Sequence, residues 1–203
     1  MSVKIPSDFS LREGERPIWY GRRSFRTVIG YTIPGIVLLI FGGLSVAEAV
    51  WPPPGIVTLG IIGGVLLLIA IILLILAHRK VATTEYFITN LRTYVRYGLI
   101  VTELENESIT YVGVLQSALG RLMNYGNVII STPGRAGAVT MVGVSDPMRV
   151  RQVLLDAVDR RKKVKEIEER IREIEHEHEL GRITDEKYRE LKSKYEEELK
   201  KYM

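Results

Sequence analysis

Two long apolar runs stand almost back to back near the start of this chain, at residues 27–47 and 55–77. A helix rises about 1.5 Å per residue, so about 20 residues reach across roughly 30 Å of hydrocarbon. Glu48 is the only charge in either run or in the link between them. A soluble helix of this length keeps a polar face, and neither run has one. The pattern predicts a two-helix transmembrane hairpin, with everything after Ala77 hung from it.

The flanking charges set an orientation. Lys4, Arg12, Arg16, Arg22, Arg23 and Arg26 precede the first run, and His78, Arg79 and Lys80 follow the second. The link from Glu48 to Pro54 has no Lys or Arg. Positive flanks stay on the cytoplasmic side. The expectation is a multi-pass plasma-membrane protein with both termini cytoplasmic, residues 1–26 forming a cytoplasmic N-terminal segment. Trp19 and Tyr20 on one side and Trp51 on the other suit the two interfaces, and Pro52, Pro53 and Pro54 force the reversal. Ala47-Glu48-Ala49 has the form of a signal-peptide cleavage site. The charged lead-in and the apolar run are both too long for a signal peptide, and a second run follows at once. Arg22, Arg23, Arg26, Arg79 and Lys80 are the candidate contacts to anionic lipid headgroups.

The remaining composition narrows the chemistry. The chain has 203 residues and no cysteine, which excludes disulfides, thiolate nucleophiles and Cys-ligated zinc. Net charge is +4, with six basic and three acidic residues in the first 26. Elsewhere the signs nearly balance, so the one-sided basic field of a nucleic-acid surface is missing. His176 and His178 are two apart and point to different sides of a helix, a poor metal pair; both are expected to be solvated. No acid–base pair or activated nucleophile stands out. The expectation is a non-enzymatic protein with no metal, cofactor or nucleic-acid partner.

Residues 78–159 change character. Short β-branched and aromatic stretches at 81–89, 93–97, 99–104, 109–115, 127–132 and 138–144 are separated by turn signals, with a longer connection containing a helical turn at 116–125. The glycines at 120, 126 and 134 read as turn residues rather than phosphate cradles. Asp146 then caps a helix with Pro147 at its first position, and Val150, Val153, Leu154, Ala157 and Val158 form its apolar face. Many short strands closed by one amphipathic helix indicate an antiparallel sheet or small barrel with a helix laid across it.

These residues carry a resemblance. Tyr86-Phe-Ile-Thr-Asn-Leu-Arg92, Arg96-Tyr-Gly-Leu-Ile100, Gln116-Ser-Ala-Leu-Gly-Arg121, Asn124-Tyr-Gly-Asn-Val128 and Gly143-Val-Ser-Asp-Pro147 resemble the successive motifs of the bacterial pleckstrin-homology-like membrane proteins. The lead-in Leu11-Arg-Glu-Gly-Glu15 is similar as well. Leu91 and Met123 depart from the pattern, where Arg and Gly are expected. The resemblance implies an α+β membrane protein: a transmembrane hairpin, a cytoplasmic pleckstrin-like antiparallel β-barrel capped by an α-helix, and a helical tail. Gln116, Arg121 and Tyr125 are a candidate polar loop site, against the alternative that they only tie the loop to the barrel. Arg92, Arg96, Arg121 and Arg135 are balanced by Glu85, Glu103, Glu105 and Glu107, which argues against a basic phosphoinositide pocket.

Residues 160–203 form a charged tail. Val164, Ile167, Ile171 and Ile174, followed in the same spacing by His178, make one narrow helical seam, and Tyr188, Leu191, Tyr195 and Leu199 a second. Gly181 ends the first helix and Thr184 caps the next, giving a C-terminal α-helical hairpin. Residues 179–188 with Lys192 resemble the short C-terminal oligomerisation motif called SHOCT, which implies self-association. Asn106-Glu-Ser108 is a sequon that the expected topology keeps in the cytoplasm. Gly60 and Gly64 are a candidate close-approach pair within the membrane. The expected function is a membrane-anchored binding or scaffold protein whose partners are the lipid bilayer, further copies of itself and a protein that the sequence does not identify. The alternative is a small transport or channel subunit, weakened by spans that offer little polar beyond Thr32, Ser45 and Thr58, with Glu48 at the outer edge.

Overall fold

The computed structural model describes residues 11–50, 57–134 and 138–202. The reversal at Pro52–Pro54, the interfacial place of Trp51 and the charge of Arg135 fall outside them. Helix α1 spans Ile29–Val50 and is entered through a 3-10 turn, Phe25–Val28, that the Ser24 side chain caps. Helix α2 spans Val57–Ala82 and packs along α1. Both are long and apolar enough to cross a membrane. Ile33, Phe41, Leu44, Ile61 and Leu68 are each more than half exposed. A pair of soluble helices turns such side chains inward.

The helices come close at Gly42 and Gly63. A Cβ on Gly63 would lie 2.8 Å from the Gly42 carbonyl oxygen, and one on Gly42 would lie 2.9 Å from that of Gly63. The expected pair is therefore displaced: Gly64 faces open space. The row that matters on α1 is Gly35 and Gly42, two turns apart, which receive Leu74 and Leu67 of α2.

Seven strands form two antiparallel sheets. The first holds β1 (Pro17–Arg22), β2 (Thr84–Thr89), β3 (Arg92–Tyr97) and β4 (Ile100–Glu105) in that order. The second holds β5 (Tyr111–Leu115), β6 (Tyr125–Ser131) and β7 (Val139–Ser145). Strand β1 lies in the segment expected to be a mere lead-in. It pairs with β2 through Tyr20↔Phe87 and Arg22↔Glu85, so the helix pair is inserted between two neighbouring strands of one sheet. Trp19 packs against the domain core and Tyr20 donates to Glu85 Oε1 at 2.8 Å, so both also serve the sheet.

The sheets do not close into the expected barrel: among the described residues no pairing joins β4 to β5 or β1 to β7. A 3-10 turn, Asn106–Ser108, separates β4 from β5. The fully buried Asn106 amide donates to the Thr89 carbonyl at 2.9 Å and accepts from Thr93 Oγ1 at 2.8 Å. That anchorage fixes the turn to the β2–β3 corner instead of continuing a ladder, and it removes Asn106 from use as a sequon. The sheets enclose a core of Tyr86, Ile88, Val95, Leu104, Val112, Val128, Ile130, Met141 and Val144. The Tyr86 hydroxyl donates across to the Val142 carbonyl at 2.6 Å, and that of Tyr97 to Thr140.

Between β5 and β6 runs the short helix α3, Ala118–Leu122. Helix α4, Pro147–Glu179, begins at its Asp146 cap and seals the core with Val150, Leu154, Ala157 and Val158. It continues unbroken, holding the domain through Lys162 Nζ, which donates to the Ile109 carbonyl at 2.8 Å, and Lys165 Nζ, 3.0 Å from Glu107. Gly181 follows with φ +67°, and Thr184 caps helix α5, Asp185–Lys200, which folds back on α4. Ile167 is buried; Val164, Ile171, Ile174, Tyr188, Leu191, Tyr195 and Leu199 are half-buried. His178, last of the first seam, is half-buried. Its ring stacks on Tyr188 at 4.3 Å and its Nε2 lies 2.7 Å from Asp185 Oδ1, fastening the turn.

Candidate functional site at the root of the helix pair

The expected lipid contacts gather where the helix pair leaves the sheets. At the α1 root, Ser24 N–H donates to the Gly143 carbonyl at 2.7 Å and Arg26 Nη1 to the Met123 carbonyl at 2.7 Å. Gly143 has φ +70°, and a Cβ there would run into Thr27. At the α2 root, Gly98 N–H donates to the Thr83 carbonyl at 2.8 Å and Thr84 Oγ1 to that of Lys80 at 3.0 Å. Arg23 N–H, donating to the Thr84 carbonyl at 3.2 Å, joins the two roots.

The five cations are placed differently. Arg22 is held by Glu85 at 2.8 Å and donates to the Tyr20 hydroxyl at 2.7 Å. Arg23 Nε donates to Thr27 Oγ1 at 2.9 Å. Lys80 Nζ sits 4.4 Å from the Tyr31 ring centre. Arg22, Arg26, Arg79 and Lys80 are exposed, and Arg23 is half-buried. The structure thus collects all five at one end of the domain, with three also used to brace the root.

Of the polar loop residues, the structure brings Gln116 and Tyr125 together. Gln116 Nε2 donates to the Tyr125 carbonyl at 3.0 Å and weakly to that of Gly120 at 3.4 Å, while the Arg121 side chain is exposed. Gln116 fastens the loop, because carbonyls turned inward need a donor.

The far end of β1 holds a network that sequence reasoning missed. The Glu15 carboxylate accepts from Arg92 Nη2 at 2.7 Å, Arg12 N–H at 2.9 Å, Thr89 Oγ1 at 2.7 Å and the Tyr94 hydroxyl at 3.2 Å. Arg92 Nη1 reaches Glu103 at 2.7 Å. Burial alone raises the Glu15 pKa; the Arg92, Arg12 and Thr89 hydrogen bonds outweigh it and hold the carboxyl below its usual range. The Leu11–Glu15 motif was the available signal, but nothing in the sequence said which cation it meets. Beside this network a cleft of about 340 Å³ opens between the lead-in, the β2–β3 turn and α4, lined by Ile18, Leu91, Ala157, Val164 and Tyr202 with Arg160. Among the described residues no group of three or more His, Asp or Glu side chains is placed to hold a metal.

A family model described as a bacterial PH domain matches residues 28–158. The chain belongs to this family. The match takes in the helix pair, strands β2 to β7 and the part of α4 that covers the core. Strand β1, which completes the first sheet of this bacterial PH domain, lies before the matched residues. No curated protein and no solved structure matches the chain.

Proposed function

We propose that this chain is a non-enzymatic, multi-pass plasma-membrane protein that holds a PH domain at the inner face of the bilayer as a binding and scaffold module. The observation that carries this reading is the insertion of the apolar helix pair between β1 and β2. A domain on a single linker swivels; one rooted through two adjacent strand ends keeps its height and orientation. The outward apolar surface of α1 and α2 supports immersion in lipid, and the cations around their roots support a cytoplasmic placement. Thr32 and Ser45 spend their hydroxyls on carbonyls of their own helix, which offers little to the transport alternative.

The tail is the assembly device in this reading. After α4 and α5 pack together, every seam residue except Ile167 stays partly exposed, leaving area for a second hairpin to cover. The test is light scattering of the detergent-solubilised protein, full length and cut after Arg170. That cut keeps Lys162 and Lys165 on the domain, which a cut at Arg160 removes. Full-length oligomers that fall to monomers on truncation are expected; a monomeric full-length protein rejects the scaffold role.

A further inference from the structure

Two apolar prongs stand beside the roots of the helix pair. The first is the β3–β4 turn, where Leu99 is 98% exposed and Ile100 69%. The turn lies against the α2 root through the Gly98–Thr83 hydrogen bond. The second is α3, where Leu122 is 83% exposed and Leu119 49%. The residue after Leu122 is Met123, whose carbonyl Arg26 holds at the α1 root. Phe25, 56% exposed, lies on the 3-10 turn that enters α1.

These residues serve neither the core nor the α4–α5 packing. Large aliphatic side chains this exposed at the tips of two separate elements mark a surface that something covers. Their positions limit what it is. They flank the two points where the helix pair departs, so a body covering both prongs at once must let the helix pair pass through it. A bilayer does so; a folded protein partner does not. The charge agrees, because Arg79 and Lys80 on the α2 root and Arg121 on α3 are exposed beside the prongs. Aliphatic tips among cations suit the boundary between acyl chains and anionic headgroups.

We infer that the PH domain docks on the bilayer that holds its helix pair, inserting Leu99–Ile100 and Leu119–Leu122 at headgroup depth as two wedges on either side of the anchor. This rests on the proposed membrane anchoring and adds to it. A tethered domain free of the surface needs no apolar tips, whereas a docked one is fixed by the anchor and both wedges.

The absence of cysteine allows single labels to test both readings at once. Leu99→Cys, Leu122→Cys, Ile62→Cys and Arg189→Cys each receive an environment-sensitive fluorophore in full-length protein, reconstituted in phosphatidylcholine–phosphatidylglycerol nanodiscs. All four positions are exposed, so labelling leaves the packing intact. The labels at Leu99 and Leu122 are expected to shift to the blue, to lose quenching by aqueous iodide and to gain quenching by headgroup-level nitroxide lipid. Ile62 reports acyl-chain nitroxide, and Arg189 on α5 stays open to iodide. Iodide access at either prong, with Ile62 still in lipid, overturns the docking and leaves the anchor standing. Iodide access at Ile62 overturns the anchor and the docking with it.

Discussion

Replacing Glu15 with Gln tests the ion pair that fastens the start of the chain to the sheet. The Glu15 side chain is fully buried and that of Arg92 is 7% exposed. The amide keeps the shape but turns an NH2 toward a ring of donors, and it takes the counter-charge from Arg92. Breaking a buried pair by removing one partner costs about 3–5 kcal/mol. Arg92 retains the half-exposed Glu103 at 2.7 Å, which puts the expectation near the lower figure, about 3 kcal/mol. That is a large share of a typical domain stability of roughly 5–15 kcal/mol. Urea unfolding in detergent, followed by fluorescence of Trp19 on β1, reads it. The double variant Glu15→Leu with Arg92→Met should cost less than the two single changes together, because no lone buried charge remains. The pH dependence has a fixed sign. Glu15 titrates lower in the folded chain than its ordinary 4.5, so the pair's stabilisation is complete above that value and is lost as pH falls through the folded pKa. Glu15→Gln should therefore flatten the acid limb of the stability curve. A loss under about 1 kcal/mol, as for a surface pair, or strict additivity in the double variant, refutes the reasoning.

Gly63→Leu places a side chain where a Cβ alone meets the Gly42 carbonyl, and should cost about 1–3 kcal/mol and spread the helices; the distance between spin labels on Ile36→Cys and Ile75→Cys reads this, and an unchanged distance counts against the close crossing. Gln116→Leu strips one donor from the Tyr125 carbonyl and should lower domain stability by about 1 kcal/mol while labels at Leu99 and Leu122 keep their shielding from iodide; lost shielding with intact folding would mark the loop as a binding site.

What the sequence disclosed was whatever a local pattern can hold. The apolar runs, the Asp146 cap and the helical face that follows it depend on neighbours within a few turns, and the structure places them as read, with boundaries shifted by a few residues at α2. Strand β1 was hidden because its partner lies on the far side of the helix pair, and its Trp19 and Tyr20 satisfy the membrane-interface pattern equally well. Barrel closure was inferred from strand number and resemblance. The side chain that interrupts it, Asn106, carries no local sign of burial and sits in a polar triplet that reads as an exposed turn. The cation collar was visible as composition; that Arg22, Arg23 and Arg26 also brace the root is a matter of long-range pairing to Glu85, Thr84 and Met123. The partners of His178 were hidden for a similar reason: Asp185 and Tyr188 come within reach only once the tail has turned back.

The position of the helix pair inside the sheet bears on how the protein is made. During synthesis β1 emerges first, and its hydrogen-bonding partner β2 follows only after both apolar helices have been produced. Until then β1 is an unpaired strand with an open edge, a hazard for mispairing. Closure of the helix pair brings residue 22 beside residue 85 and spares the chain most of the entropy of that long loop. With the proposed anchoring, insertion into the bilayer becomes a step in completing the cytoplasmic sheet. A chain whose helices fail to insert would then carry its own report of the failure: a three-stranded remnant with a bare edge, ready for chaperones or proteases to recognise.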